Sequence, residues 1–306
     1  MTAVLSSFLV VGSIIVLGYL LQRNHILGNN AELIITRLVF FVASPALLFT
    51  TVGKSKPADV FGPAMAVQVI SVVAAVIAYA LFSILIWKQS WAQTVVGSMS
   101  SSYVNAGNLG IPLAAYVLGN AAQIAPILLF QLAIYTPVVM LLLELTSQRK
   151  ANIGKSLLHA FANPILLASF AGVIVMVTHW HVPNVIMEPI QLLSGISVPG
   201  MLLTFGMSFA ADRTLLSSGS TGPVATAVVL KNIVQPVIAF FLASRLFDLT
   251  PANVMACVVM AALPAAQNVY TYATRFGTGK ELARDGTLIT TLVSVPVIVV
   301  IAFLLS

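Results

Sequence analysis

The chain has 306 residues, 59% of them hydrophobic and only 7% charged, and its mean hydropathy is +1.03. Soluble domains carry roughly 25% charged residues, so this composition excludes an ordinary soluble fold and predicts an all-α polytopic membrane protein. The formal charge of +6 and the pI near 9.6 fit basic loops on the cytoplasmic side of a membrane better than a nucleic-acid partner.

A bilayer core takes about 20 apolar residues per helix. That ruler gives ten predicted spans, approximately 3–22, 33–52, 61–87, 93–118, 122–146, 157–178, 186–210, 222–246, 251–275 and 284–304. The N-terminus lacks a basic region ahead of its apolar run, and the run is long enough to span, so the first segment is expected to be a retained helix. The single Cys257 excludes an intrachain disulfide.

Basic residues set the expected orientation. With the N-terminus outside, nine fall in inner loops: Arg23, Lys88, Arg149, Lys150, Lys155, Arg213, Arg275, Lys280 and Arg284. Three fall in outer loops, Lys54, Lys56 and Arg245. Ten spans return the C-terminus to the outside as well.

Three short matches recur in one order. Ser44-Pro45-Ala46-Leu47-Leu48-Phe49 pairs with Val198-Pro199-Gly200-Met201-Leu202-Leu203, Gly62-Pro63 with Gly222-Pro223, and Ile111-Pro112-Leu113-Ala114 with Leu263-Pro264-Ala265-Ala266. Their offsets are 154, 160 and 152 residues. The chain therefore reads as five helices plus five. Because five is odd, the second half enters from the opposite face, which predicts an inverted repeat whose broken helices 4 and 9 cross near the midplane.

Those two helices carry the unusual chemistry. Within an apolar segment, Asn105, Asn108, Gly110 and Pro112 cluster, and Pro264, Gln267 and Asn268 do the same in span nine. Proline removes an N–H and blocks the carbonyl one turn back, and unpaired backbone at membrane depth is tolerated only where protein or a water-filled cavity covers it. Pro112 is expected to end one half-helix. Other intramembrane prolines (Pro45, Pro126, Pro137, Pro199, Pro236, Pro296) read as ordinary kinks. Half-helix N-termini offer free N–H groups and partial positive charge, and the C-termini the converse. An anion such as a carboxylate would sit at the N-terminal ends after Pro112 and Pro264. The seven residues just named are therefore the predicted substrate-binding set.

Lys231, in Val228-Val229-Leu230-Lys231-Asn232, lies deep in span eight. Such a lysine costs roughly 2.5–3.5 kcal/mol on insertion scales. It is expected to neutralise the carbonyl ends of the broken helices or, alternatively, to attract the anion. Glu144 and Arg37 read as interfacial. His179 and His181 sit two apart in a loop, while His25 and His159 are isolated, so no metal site is expected. The absence of HExxH, a nucleotide loop or paired intramembrane carboxylates argues against an enzyme.

Around these residues the chain resembles the auxin efflux carrier family, which includes bacterial permeases of the malonate-transporter type and the plant PIN carriers. The resemblance rests on Gly18-Tyr19 and Ser44 to Phe49, on Asn105 with Gly110-Ile111-Pro112-Leu113, on Leu263-Pro264 with Arg275-Phe276 downstream, and on Lys231 before Pro236. It implies two inverted five-helix repeats, as in bile-acid symporters and sodium/proton antiporters. Helices 1, 2, 6 and 7 (1–56 and 157–213) would form a scaffold, often dimeric. Helices 3–5 and 8–10 (57–156 and 214–306) would form a moving crossover domain working by elevator-like alternating access. The long cytoplasmic loop of the larger plant carriers is replaced here by Gln148 to Ser156, and Gln267-Asn268 is more polar than the plant pattern, so auxin itself is not implied.

The expected function is secondary transport of a small organic anion, a mono- or dicarboxylate, in a bacterial inner membrane, with no cofactor beyond Na⁺ or H⁺ as a coupling ion. The alternatives are a cation-coupled symporter or antiporter on the same fold and a non-transporting membrane sensor. Spans three, four, eight and nine hold no Asp or Glu in their interiors, which argues against proton exchange there.

Overall fold

A computed structural model describes residues 2–28, 30–146, 162–210 and 221–305, with side chains described outside 1–8 and Asp59. Arg149, Lys150, Lys155, His159 and Arg213, used above for loops and metal ligands, lie outside the described residues.

Every regular element among the described residues is helical, as apolar segments of bilayer length require when no water can satisfy the backbone. Among the described residues, six helices are long and apolar enough to cross a membrane: α2 (Ala31–Gly53), α3 (Pro63–Leu85), α6 (Ala121–Thr146), α8 (Asn184–Ser208), α9 (Thr221–Leu246) and α12 (Lys280–Leu305). They coincide with predicted spans two, three, five, seven, eight and ten. Spans one and six correspond to α1 (Thr2–Arg23) and α7 (Pro164–Thr178), the latter starting at an Asn163 cap whose side chain accepts from Ile165 and Leu166 N–H. Spans four and nine are the exceptions. Each is split, into α4 (Trp91–Ser100) and α5 (Ile111–Tyr116), and into α10 (Pro251–Ala261) and α11 (Asn268–Phe276).

Five π turns occur among the described residues, and four of them share a cause. The turns at Val39–Ala43, Ala106–Gly110, Gln131–Tyr135 and Leu230–Val234 are each followed, two residues on, by a proline: Pro45, Pro112, Pro137 and Pro236. A proline ring collides with the carbonyl four residues back, and that carbonyl lies inside the π turn in all four cases. Widening the turn relieves the collision without breaking the helix. Pro45, Pro137 and Pro236 thus mark π turns where the sequence predicts kinks, and Pro112 marks one where it predicts the end of a half-helix. Pro189 and Pro296 sit inside their helices without a π turn.

The described chain packs as two units, Met1–Gly62 with Ala106–Leu129 and Ala162–Arg213, and Pro63–Asn105 with Phe130–Phe161 and Thr214–Ser306. In the first, α1 lies against α8 and α2 against α7. Lipid tails are as apolar as leucine, so close approach rather than hydrophobic exclusion holds membrane helices together. Gly18 and Gly206 supply that approach: a Cβ on either would strike backbone of the facing helix, at Leu203 and Ile15 respectively. In the second unit, α3, α9 and α10 bury Val67, Ala239, Ala243, Cys257 and Val258 together, while Tyr79 packs with Val224, Ala227, Leu230 and Leu282.

Candidate functional site

The two split helices begin alike. Ser90 caps α4 in a capping box with Gln93, and Thr250 caps α10 by accepting from Asn253 N–H, with Pro251 at the first helical position. They also end alike, each passing through a turn into a short extended link. In the first helix the gap falls at Ser101–Asn105, upstream of Pro112. The chain is helical again from Ala106, and Pro112 is the second residue of α5, directly after the π turn that takes up its collision. The expectation that Pro112 ends a half-helix is corrected accordingly. Serines prepare the gap: Ser100, Ser101 and Ser102 turn their hydroxyls back onto the carbonyls of Val96 and Ser98, competing with the helical ladder.

The two links pair with each other inside the second unit. Val104 and Ala265 form an antiparallel bridge, with Asn105 N–H donating to Pro264 O at 2.8 Å and Ala266 N–H to Tyr103 O at 3.0 Å. Extended backbone alternates its bonding direction, so Val104 and Ala265 face outward from this pair and need other partners. Gln131 of α6 serves Val104 on both counts, accepting its N–H at 2.7 Å and donating to its carbonyl at 3.1 Å. Thr290 of α12 serves Ala265, accepting its N–H at 3.1 Å. Thr290 also donates its hydroxyl to Gly286 O and receives Asn232 Nδ2 on its own carbonyl. A single amide side chain thus serves both outward-facing groups of Val104, and a single hydroxyl serves the N–H of Ala265, in a buried pair.

Lys231 closes the α10 end. It is fully buried, and Nζ donates to Ala261 O at 2.6 Å and to Gln235 Oε1 at 2.7 Å. Ala261 is the last residue of α10, so the amine sits on a carbonyl at the partially negative end of that half-helix. Among the described residues no carboxylate forms an ion pair with it. Gln235 Nε2 and Asn232 Oδ1 beside it are buried without a hydrogen-bond partner, as is Oε1 of Gln68, whose Nε2 donates to Cys257 O one turn earlier in α10. Three buried side-chain atoms on α3 and α9 thus lack a hydrogen-bond partner within the protein.

Of the predicted binding residues, Asn105, Pro264 and Lys231 come together in this unit. Asn105 and Pro264 are buried, Gln267 is half-buried, and Asn268 is exposed at the start of α11. Asn268 also reaches the Tyr103 hydroxyl, which bonds Thr136. Asn108, Gly110 and Pro112 follow in the π turn and α5, within the other packing unit, with Asn108 half-buried.

A family model described as "Membrane transport protein" matches residues 3–302. The chain belongs to that family. The family membership expected from the motifs, that of the auxin efflux carriers, is thereby borne out. This transport protein is 25% identical over 302 residues to a Rhizobium meliloti (strain 1021) protein named "Putative malonate transporter", covering 95% of this chain and 92% of the relative. It is also 25% identical over 275 residues to an "Uncharacterized transporter" of Methanothermobacter thermautotrophicus, covering 83% and 82%. Its family and these relatives are transporters rather than enzymes, and its long apolar helices make it a multi-pass membrane protein.

Two residues of this membrane transport protein escape the sequence reading. Gln131 is one amide within a 26-residue apolar helix. Asp285 is the other: its side chain is fully buried in α12, Oδ1 accepts from Arg284 Nε at 2.7 Å, and Oδ2 has no hydrogen-bond partner. Thr287, two residues on, has a buried hydroxyl in the same condition.

Proposed function

We propose that the protein is a secondary active transporter of a small organic anion, a mono- or dicarboxylate, with the substrate bound at the crossover of helices 4 and 9. The observation that carries this reading is the pair of interrupted helices, locked link to link, with the Lys231 amine buried against the α10 terminal carbonyl. An apolar protein has no structural need for two gaps whose repair uses Gln131, Thr290 and Lys231, whereas discontinuous helices supply a transporter with charge-sensitive termini at midplane depth. The printed name of the Rhizobium relative adds malonate as the first carboxylate to test. In this reading Asn105, Asn108, Gly110, Pro112, Pro264, Gln267 and Asn268 form the binding set and Lys231 compensates charge.

The wider architecture belongs to the same proposal. Ten helices form two inverted five-helix repeats, with 1–56 and 157–213 as a scaffold through which two copies associate. Segments 57–156 and 214–306 make up the transport domain, and access alternates by an elevator-like movement. Both termini lie outside a bacterial inner membrane. Flux of radiolabelled malonate and succinate into proteoliposomes tests the core of the reading. Saturable flux that is lost in Asn105→Ala and Pro112→Ala is the expected result. No carboxylate flux, or flux undiminished by both substitutions, overturns it.

Asp285 favours a second reading, coupling to H⁺ or Na⁺. A buried carboxylate with one unpartnered oxygen is a group a proton or cation can engage, and such residues in membrane helices mark ion pathways. If that reading holds, flux driven by a pH or sodium gradient vanishes in Asp285→Asn, while exchange of malonate across equal concentrations persists.

A further inference from the structure

Beside the paired links, four polar side chains from three elements close on one another within the second packing unit. Tyr103 lies in the link after α4, Thr136 directly follows the π turn of α6, and Asn268 and Tyr272 belong to α11. Their spacing of four puts Asn268 and Tyr272 on one face of that helix. The Tyr103 hydroxyl meets that of Thr136 at 2.9 Å, the Tyr272 hydroxyl bonds both, and the Asn268 amide bonds Tyr103. Tyr103 and Thr136 are buried and Tyr272 is half-buried, whereas Asn268 is exposed. A closed group of hydroxyls therefore ends on an accessible member of the proposed binding set.

The protons in this group can be counted. A tyrosine or threonine hydroxyl has one proton to give, and an amide NH₂ has two. Four hydrogen bonds must be supplied, three among the hydroxyls and one between Asn268 and Tyr103. Two hydroxyl oxygens in buried contact repel unless a proton lies between them, so the three mutual contacts consume all three hydroxyl protons. Tyr103 then has none left for Asn268. The amide must itself donate, from Nδ2–H to the Tyr103 oxygen. Its Oδ1 and its second N–H stay available to a guest. If Tyr103 kept its proton it would hold Oδ1 instead and leave both amide hydrogens to the guest, the arrangement that suits a bare carboxylate.

We propose that this hydroxyl ring fixes the polarity of Asn268 and thereby selects carboxylates whose second polar group donates a proton to Asn268 Oδ1. The inference rests on the crossover reading of the site and narrows its substrate class. The substrate's carboxylate is left to the N-terminal end of α11. Hydroxy acids, half-amides and the singly protonated form of a dicarboxylate all carry such a donor. A fully ionised dicarboxylate sets oxygen against oxygen at Asn268 and is disfavoured. Tyr103, Thr136 and Tyr272 are positioning residues in this scheme, because they act through the Asn268 amide.

Calorimetric titration into protein held in phosphatidylcholine nanodiscs compares two pairs of monoanions of similar size: lactate with propionate, and malonamate with monomethyl malonate. Only the first member of each pair has a proton to donate. In the wild type that member should bind about tenfold tighter in at least one pair. The pair that responds shows whether the donor sits beside the carboxylate or at the far end of the chain. Tyr272→Phe and Thr136→Val each break the ring and return a proton to Tyr103, so in both the ratio should fall toward one. Thr136→Ser keeps the hydroxyl and should keep the ratio. A merely structural role would weaken both members of a pair alike and leave their ratio intact. Asn268→Ala should abolish the preference as well. Equal binding within both pairs in the wild type overturns the proposal, as does a preference that survives in Y272F and T136V or in N268A. If none of the four anions binds although malonate is transported, the proposal falls and the crossover reading stands. If no carboxylate is transported either, both fall.

Discussion

The two interruptions are alike in backbone and unlike in chemistry. Each begins at a hydroxyl cap, ends in a turn, and passes through one bridged residue before helix resumes. The first is repaired by neutral groups: serine hydroxyls at the end of α4 and the Gln131 amide beside Val104. The second is repaired by the Thr290 hydroxyl and by an amine, Lys231, at the end of α10. A repeated backbone therefore carries an asymmetric charge. If both gaps merely accommodated proline, neutral repair would suffice twice. The buried lysine at only one of them makes the second interruption the electrostatically sensitive one.

Lys231→Met tests that asymmetry most severely. It preserves the length and apolar stem but strips the Ala261 carbonyl and Gln235 Oε1 of their donor. Two unsatisfied buried acceptors and an uncompensated helix end should cost about 3–5 kcal/mol. We expect a clear fall in the melting temperature of the purified protein and loss of carboxylate flux. Gln131→Leu is the matched attack on the first interruption. It leaves the N–H and carbonyl of Val104 unpaired, at about 2–4 kcal/mol for the two groups. Its melting temperature should fall as well, but the anion affinity of the protein that remains folded should stay near wild type, because no charge is removed. Equal losses of affinity in both variants would erase the distinction.

Thr290→Val is a smaller and cleaner perturbation. The substitution is close to isosteric and deletes the oxygen that accepts from Ala265 N–H and donates to Gly286 O. One orphaned backbone donor should cost about 1–2 kcal/mol. Hydrogen exchange at Ala265 should rise selectively, with little change at Val104, whose partner is Gln131.

What the sequence discloses follows from how local each cause is. The apolar spans are legible because length and composition act residue by residue. Six of them reappear as helical segments of spanning length within a few residues of their predicted limits. Lys231 is legible because a cation stands out in an apolar run, and Asn105 because amides are scarce there. Their partners are not legible. Ala261 contributes a backbone carbonyl, which no residue type announces, and Gln131 meets Val104 from 27 residues away. The gap near Pro112 is displaced for a different reason. Proline signals a collision, but a π turn over Ala106–Gly110 absorbs it, so the break moves to the serines upstream. Asp285 is overlooked because the neighbouring Arg284 makes the pair read as an interfacial loop, whereas the helix buries one and leaves the other partly exposed.

The smallest effect lies at the rim of the first interruption, where the Ser102 and Tyr135 hydroxyls meet at 2.6 Å in a buried site. Both groups have other attachments. Ser102 also engages Ser98 O, and the Tyr135 ring stacks near Phe130 and Tyr103. Removing either hydroxyl alone therefore mixes several terms, and only a double-mutant cycle isolates the shared bond. Side-chain hydrogen bonds between membrane helices average about 0.6 kcal/mol by that method, because the unfolded chain in the bilayer also finds partners. Ser102→Ala, Tyr135→Phe and the double variant should yield a coupling of about that size in thermal or steric-trap unfolding. Flux should barely change, since the Val104–Ala265 pairing stays intact. A coupling near 2 kcal/mol or more would exceed the usual ceiling of about 1.7 kcal/mol. It would mean that the neutral interruption is held as tightly as the charged one and that the asymmetry resides in charge alone.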